Sequence, residues 1–201
     1  MIAIIDYKAG NILSVGNALR RLGADFTVSA DRDLIRSSDR VILPGVGEAS
    51  TAMQELLRAG PGGESLSETL RSLTCPVLGI CIGVQLMSVR SVEGDTECMG
   101  IFPTSVRRFP SHTPDKVPQI GWNTIGNLSG PLFRNIPEGS YVYYVHSYYP
   151  ELCPGCTVAE TEYAGTRFSA ALQKDNFFGT QFHPEKSGSV GALILKNFLE
   201  I

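Results

Sequence analysis

Apolar residues along the chain fall into two rhythms, and the rhythm changes near the middle. "IAIID" (residues 2–6) is an uninterrupted apolar run, the pattern of a parallel strand buried on both faces. Asn11 follows as a candidate helix N-cap, and Ile12, Val15, Leu19 and Leu22 then recur at helical spacing until Gly23 ends them. "DFTVS" (25–29) reads as a second strand and "DRVILPG" (39–45) as a third. After "GVGE" comes a helix holding Met53, Leu56 and Leu57, then a surface loop "AGPGGES" (59–65) and a short helix "LSETLRSL". "PVLGI" (76–80) is a fourth strand, and "GVQLMSV" (83–89) starts a fourth helix. Such alternation predicts a parallel sheet with helices on both faces.

Beyond residue 100 the pattern shortens to period two. "TSVRRF", "YVYYVHSYY", "TVAETEY", "RFSAALQ" and "FFGTQF" are rich in β-branched and aromatic residues and are joined by Pro and Gly turns, so they read as strands. "SGSVGALILKNFL" (187–199) closes the pattern as a helix, with Ser187 as its candidate cap. No repeat, low-complexity segment or long linker interrupts the chain. The expectation is one α/β domain over residues 1–201: a mostly parallel sheet flanked by helices, with additional antiparallel strands in the second half.

Composition narrows the class. The 201 residues are 43% hydrophobic and 18% charged, with a formal net charge of -3, which fits a soluble globular protein with a full core. The mild acidity and scattered basic residues argue against a polyanion-binding surface. "MIAIID" lacks the basic region and cleavage site of a signal peptide, and no apolar run approaches the ~20 residues that span a bilayer. A cytoplasmic protein is expected. Five cysteines, an odd count, then read as free thiols.

One of these thiols stands out. Cys81 lies between Gly79 and Gly83, where a predicted strand turns into a predicted helix. G-x-C-x-G is the nucleophile-elbow pattern with sulfur in place of oxygen. The turn is crowded and strained, so neither flank tolerates a Cβ. It lifts the nucleophile clear of the sheet, at the strand ends where doubly wound folds bind ligands, and the adjacent helix N-terminus favours the thiolate. A buried cysteine in a glycine-containing turn fits the same stretch. A thiol nucleophile needs a base and the base an orienter. Of His112, His146 and His183, the last lies in "GTQFHPEKS", directly after a predicted strand. Pro184 favours an extended path, and in an extended segment Glu185 points the same way as His183. Its carboxylate would then hold one imidazole nitrogen and leave the other for Cys81. A His–Glu pair on a surface turn also fits "HPE" alone. Finding both motifs in one chain, each after a strand, favours chemistry over coincidence.

"GICIGVQ" and "GTQFHPEKS" resemble the nucleophile and His–Glu signatures of the class I, triad-type glutamine amidotransferases, whose fold is flavodoxin-like. The resemblance covers the whole chain. "DYKAGN", "LPGVGE", "PQIGWN" and "YYVHSYY" narrow it to the glutaminase subunits that serve imidazole glycerol phosphate synthases in histidine biosynthesis. What the resemblance implies is a Cys81–His183–Glu185 triad that hydrolyses glutamine to glutamate and ammonia. Oxyanion donors would come from Ile82 and from the Gly45–Val46 peptide of "PGVG", which is thought to flip in this family, a motion Gly45 permits by tolerating positive φ. Gly47, Gln85, Glu93, Ser147 and Tyr148 match substrate-binding positions, Glu93 facing the α-ammonium. Gln119, Trp122, Asn123, Tyr143 and Lys186 match positions at the interface with a (β/α)8 cyclase subunit, which takes the ammonia in a heterodimer. Many members carry His where this chain has Gln119. His146 is read as a structural or interface residue. No cofactor, metal, nucleic acid or membrane is implied. The residues alone leave open a glutaminase for another synthase, such as that of pyridoxal phosphate, or a non-catalytic binding module.

Three further signals are set aside. Cys153 and Cys156 flank a Pro-Gly turn and supply only half a zinc site. "GPGGES" lacks the G-K-[ST] end of a phosphate loop. Arg107 and Arg108 read as solvated charges.

Overall fold

The computed structural model describes residues 1–8 and 11–201, so Ala9 and Gly10 of "DYKAGN" lie outside the described residues. In chain order the elements are β1 (Ile2–Ile5), α1 (Ile12–Arg21), β2 (Phe26–Ser29), α2 (Arg32–Arg36), β3 (Arg40–Gly45), α3 (Ala49–Leu57), α4 (Leu66–Ser72), β4 (Val77–Cys81) and α5 (Ile82–Leu86). The second half adds β5 (Arg90–Ser91), β6 (Thr96–Glu97), β7 (Ser105–Arg108), β8 (Gln119–Thr124), β9 (Tyr141–His146), β10 (Tyr148–Pro150), β11 (Thr157–Tyr163), β12 (Thr166–Lys174), β13 (Phe177–Thr180) and α6 (Gly188–Leu199).

The main sheet runs β11-β12-β13-β4-β3-β1-β2. From β13 to β2 every pairing is parallel, and β11 and β12 are antiparallel. The apolar runs explain why the parallel strands sit inside. Ile2 and Ile4 of β1, Ile42 of β3 and Leu78 and Ile80 of β4 join one core with Val15, Leu19 and Phe198. Their neighbours Ala3, Ile5, Val41, Leu43 and Val77 join the other with Met53, Leu56 and Leu70. Period-two geometry sends successive side chains into opposite cores, so both faces must be apolar. A second sheet runs β10-β7-β5-β6, and β8 pairs with β9 as a separate ribbon.

Several boundaries differ from expectation, each for a local reason. Asn11 makes no side-chain cap bond to α1, because its amide is engaged elsewhere. Ser65 forms a full capping box with Glu68 on α4. Ser187 does not cap α6: its hydroxyl donates to the His183 carbonyl at 2.6 Å and accepts from the Tyr143 N–H at 2.9 Å. α5 ends at Leu86 because backbone N–H groups of Met99 and Ile101 take the carbonyls of Leu86 and Met87. "YVYYVHSYY" is two strands broken at Ser147, and "PQIGWN", which carries no clean alternation, holds β8. No described helix is long and apolar enough to cross a membrane.

Candidate active site

Cys81 ends β4 and starts α5 at φ 55° and ψ −108°. A non-glycine residue at positive φ is strained and persists only where its surroundings fix it. Here the surroundings are backbone. A Cβ on Gly79 would stand 2.7 Å from the Gly83 carbonyl carbon, and one on Gly83 would stand 2.1 Å from the Leu43 carbonyl oxygen. The elbow therefore requires both glycines for room. Gly45 is needed for the same reason, since its Cβ would meet Ile82 Cβ at 2.6 Å and the Gly83 N at 2.8 Å. Gly45 itself is not among the positive-φ residues, whereas Gly47 takes φ 106° with open space around it. Tyr7 adds an anchor, its hydroxyl donating to the Pro44 carbonyl at 2.7 Å.

His183 and Glu185 meet as expected, with Nδ1 2.8 Å from Oε1. The path between them is not extended. Pro184–Lys186 is a 3₁₀ turn with Pro184 in its first position, and the tight turn brings the carboxylate back under the imidazole. The His183 N–H donates to the Tyr143 carbonyl at 2.9 Å, which ties the turn to β9. Asn11 donates to the same Glu185 oxygen at 3.3 Å. Burial works against a charged His183, but Cys81 and Glu185 outweigh it and push its pKa up to about 10. Among the described residues His183 Nε2 is buried with no other hydrogen-bond partner, placed to exchange a proton with Cys81 in the cavity the two line.

That cavity measures about 280 Å³ and is lined by Cys81, His183 and all five expected substrate residues. The volume lies at the small end for a ligand site and suits a molecule the size of an amino acid. Of the expected oxyanion residues, Val46 and Ile82 line it and Gly45 lies behind them. One Glu93 oxygen accepts from the Ala49 N–H at 2.8 Å, at the start of the helix that follows "PGVG", so Glu93 also holds that loop. Burial raises its pKa, with the Ala49 N–H pulling the other way. Gln85 gives its Nε2 to the Tyr148 carbonyl at 3.0 Å and to Gln181 Oε1 at 2.9 Å, while its own Oε1 is buried and unpaired among the described residues. Gln181 itself was not foreseen. It stands two residues before His183, and the period of an extended segment is the signal that would have found it.

His146 is buried beside the site. Its Nδ1 lies 2.7 Å from the Tyr148 carbonyl and its Nε2 3.0 Å from the Gln119 amide. Burial is the main cause that lowers its pKa to about 4, and His183 adds to it. A neutral ring has one N–H. The Tyr148 carbonyl can only accept, so Nδ1 donates there; Gln119 Oε1 stands 3.0 Å from Nε2, and with the ring neutral that contact becomes a hydrogen bond once the amide turns its nitrogen to the ring. Gln119 is 3% exposed, its side chain spent on His146. Trp122 does face solvent, packing edge-on to Tyr143 at 5.9 Å, with the exposed Lys186 ammonium 6.0 Å from the Tyr143 ring. Asn123 donates to the Glu162 carbonyl at 3.0 Å. Cys153 and Cys156 close a backbone turn, with the Cys156 N–H donating to the Cys153 carbonyl at 2.9 Å, and both thiols are buried.

A family model described as glutamine amidotransferase class-I matches residues 3–201. The chain is 49% identical over 201 residues to a Bacteroides thetaiotaomicron protein named imidazole glycerol phosphate synthase subunit HisH, covering 100% of this chain and 99% of that one. It is 46% identical over 203 residues to the Shewanella sediminis protein of the same name, covering 98% and 89%. Among solved structures it is similar to PurLQS from Thermotoga maritima, with a TM-score of 0.71 and 17% identity over 99% of this chain and 97% of that one, a likeness of fold.

Proposed function

The chain belongs to the class-I glutamine amidotransferase family, and we propose that it works as the glutaminase subunit of an imidazole glycerol phosphate synthase in histidine biosynthesis. One observation carries the chemistry. Cys81, strained on its elbow, lines the same cavity as an imidazole whose far nitrogen is held by Glu185 at 2.8 Å.

The steps follow from that arrangement. His183 Nε2 takes the thiol proton, and Cys81 Sγ attacks the side-chain amide carbon of glutamine. The C–S bond forms as the carbonyl oxygen gains charge. The Ile82 and Val46 N–H groups are the donors proposed to meet it, each worth roughly 3–4 kcal/mol by analogy with other oxyanion holes. The tetrahedral intermediate then breaks its C–N bond. His183 gives its proton to the leaving nitrogen, and ammonia departs. Water, deprotonated by the same imidazole, cleaves the thioester and frees glutamate. Glu185 keeps the ring in one orientation through both transfers. Glu93 and the unpaired Gln85 Oε1 are acceptors suited to the α-ammonium, and the Ser147–Tyr148 backbone and Gly47 are placed for the α-carboxylate.

Ammonia released to bulk water is protonated and ceases to be a nucleophile, so a partner must receive it directly. The proposed partner is a (β/α)8 cyclase subunit in a heterodimer, docked over the exposed Trp122 and Lys186 and the half-buried Tyr143 between them. The test measures glutamate released from glutamine by the purified chain, with and without that cyclase and its nucleotide substrate. Hydrolysis coupled one-to-one to imidazole glycerol phosphate is expected, and cyclase turnover supported by ammonia but never by glutamine would refute the proposal.

A further inference from the structure

Gln181 is fully buried, directly after β13, and its backbone N–H donates to the Ala170 carbonyl at 2.8 Å. A side-chain amide has an oxygen end and a nitrogen end that look alike, and the hydrogen-bond network decides between them. Here it decides unambiguously. The Tyr148 carbonyl can only accept, so the Gln85 amide turns its nitrogen there, at 3.0 Å. The second hydrogen of that nitrogen goes to Gln181, 2.9 Å away, and meets its oxygen. The Gln181 nitrogen is left facing Cys81 Sγ at 3.7 Å. Among the described residues the Val145 carbonyl also bonds that sulfur, at 3.9 Å.

We propose that Gln181 is a further catalytic residue, whose amide N–H donates to the Cys81 sulfur and holds it as the attacking thiolate. The inference rests on Cys81 being the nucleophile. The two partners of the sulfur suit its two protonation states. The thiol S–H donates to the Val145 carbonyl. When the proton moves from Sγ to His183 Nε2, that carbonyl becomes a repulsive neighbour and the Gln181 N–H becomes the favourable one. A neutral donor steadies the thiolate without the strong pairing that would blunt its nucleophilicity. The Gln85–Tyr148 anchor keeps the amide from turning its oxygen to the sulfur, so two residues assigned to substrate binding also set the orientation of the donor.

The experiment is alkylation of Cys81 by iodoacetamide across pH in the full chain, with the adduct located by peptide mass spectrometry. Gln181→Met removes the donor at similar size. Gln181→Glu keeps an oxygen for Gln85 and sets a carboxylate against the sulfur. The expected result is a rate at pH 6 lowered about tenfold or more in Gln181→Met and further in Gln181→Glu, consistent with one lost hydrogen bond to a charged group. The high-pH plateau should be kept, and kcat should fall while KM is unchanged. Circular dichroism establishes that each variant is folded, and the isosteric Gln181→Glu decides if Gln181→Met is not. A folded variant with the wild-type profile overturns the role of Gln181 alone. A wild-type Cys81 no more reactive than Cys75 overturns the nucleophile assignment, and this proposal with it.

Discussion

Gly83→Ala is the substitution whose consequence the structure fixes most tightly. The new Cβ would stand 2.1 Å from the Leu43 carbonyl oxygen, more than an ångström short of ordinary contact, which begins at 3.4 Å. Neither side can yield cheaply. Leu43 lies in β3, held between β1 and β4 and in register with Gly79. Gly83 lies in the first turn of α5, whose start is the elbow itself. Overpacking of this kind costs about 1–3 kcal/mol, or a Tm lower by about 2–12 °C for a chain of this size. The functional effect should be larger, because relief must move α5 and with it Cys81. A displacement of about 1 Å at a reacting atom costs about 100-fold in rate. Gly100→Ala is the control. Gly100 has positive φ, at 69°, unlike Gly83, but among the described residues nothing lies within 4 Å of its Cβ position and it does not line the cavity. Its replacement should cost about 1 kcal/mol and leave the rate alone. The assay is kcat for glutamine hydrolysis in the cyclase complex alongside a thermal melt of each variant. A Gly83→Ala protein with wild-type kcat and Tm would refute the argument that close backbone approach builds the elbow.

Other perturbations test separate parts of the site. Glu185→Gln keeps the shape but removes the charge that, after Cys81, raises His183 toward about 10; kcat should fall by about 10²–10⁴. A raised folded-state pKa gives stability that is complete below the unfolded value near 6.5 and lost as pH climbs through the folded one, so the gap in stability between wild type and Glu185→Gln should shrink as pH approaches 10. His146, lowered to about 4, has the opposite sign. The unfolded chain binds its proton first, so wild type should lose about 3 kcal/mol between pH 6.5 and 4, and His146→Gln should lose less over that range in urea titrations. Trp122→Ala, at an exposed aromatic, should leave the melt unchanged while weakening cyclase binding by about 2 kcal/mol, roughly 30-fold in Kd by calorimetry.

The parts of this molecule legible in its sequence are those set by local rules. The apolar runs of β1, β3 and β4 forecast a parallel sheet because burial on two faces leaves no polar position. The elbow was readable because a G-x-C-x-G turn has few geometric solutions. Pairing of His183 with Glu185 was also foreseen, although the turn that achieves it is 3₁₀ and not extended. What sequence concealed depends on contacts between distant segments. Asn11 looked like a cap, yet it serves a carboxylate 174 positions away. Gln119 gave no hint in the sequence of its bond to His146 on the neighbouring strand. Gly45 was singled out for its conformational freedom, and only the position of Ile82 and Gly83 reveals that it is also a gap kept open for the elbow.

The central claim is that one thiol of five, Cys81, attacks the glutamine amide. A glutamine-mimicking electrophile, added to the chain in complex with the cyclase and followed by peptide mapping, tests it most directly. The account predicts one adduct per chain, on Cys81, formed in step with loss of hydrolysis and blocked by excess glutamine, with Cys75, Cys98, Cys153 and Cys156 unmodified. Inactivation with the adduct on any of those four, or a Cys81→Ala protein that still hydrolyses glutamine near the wild-type rate, would contradict it.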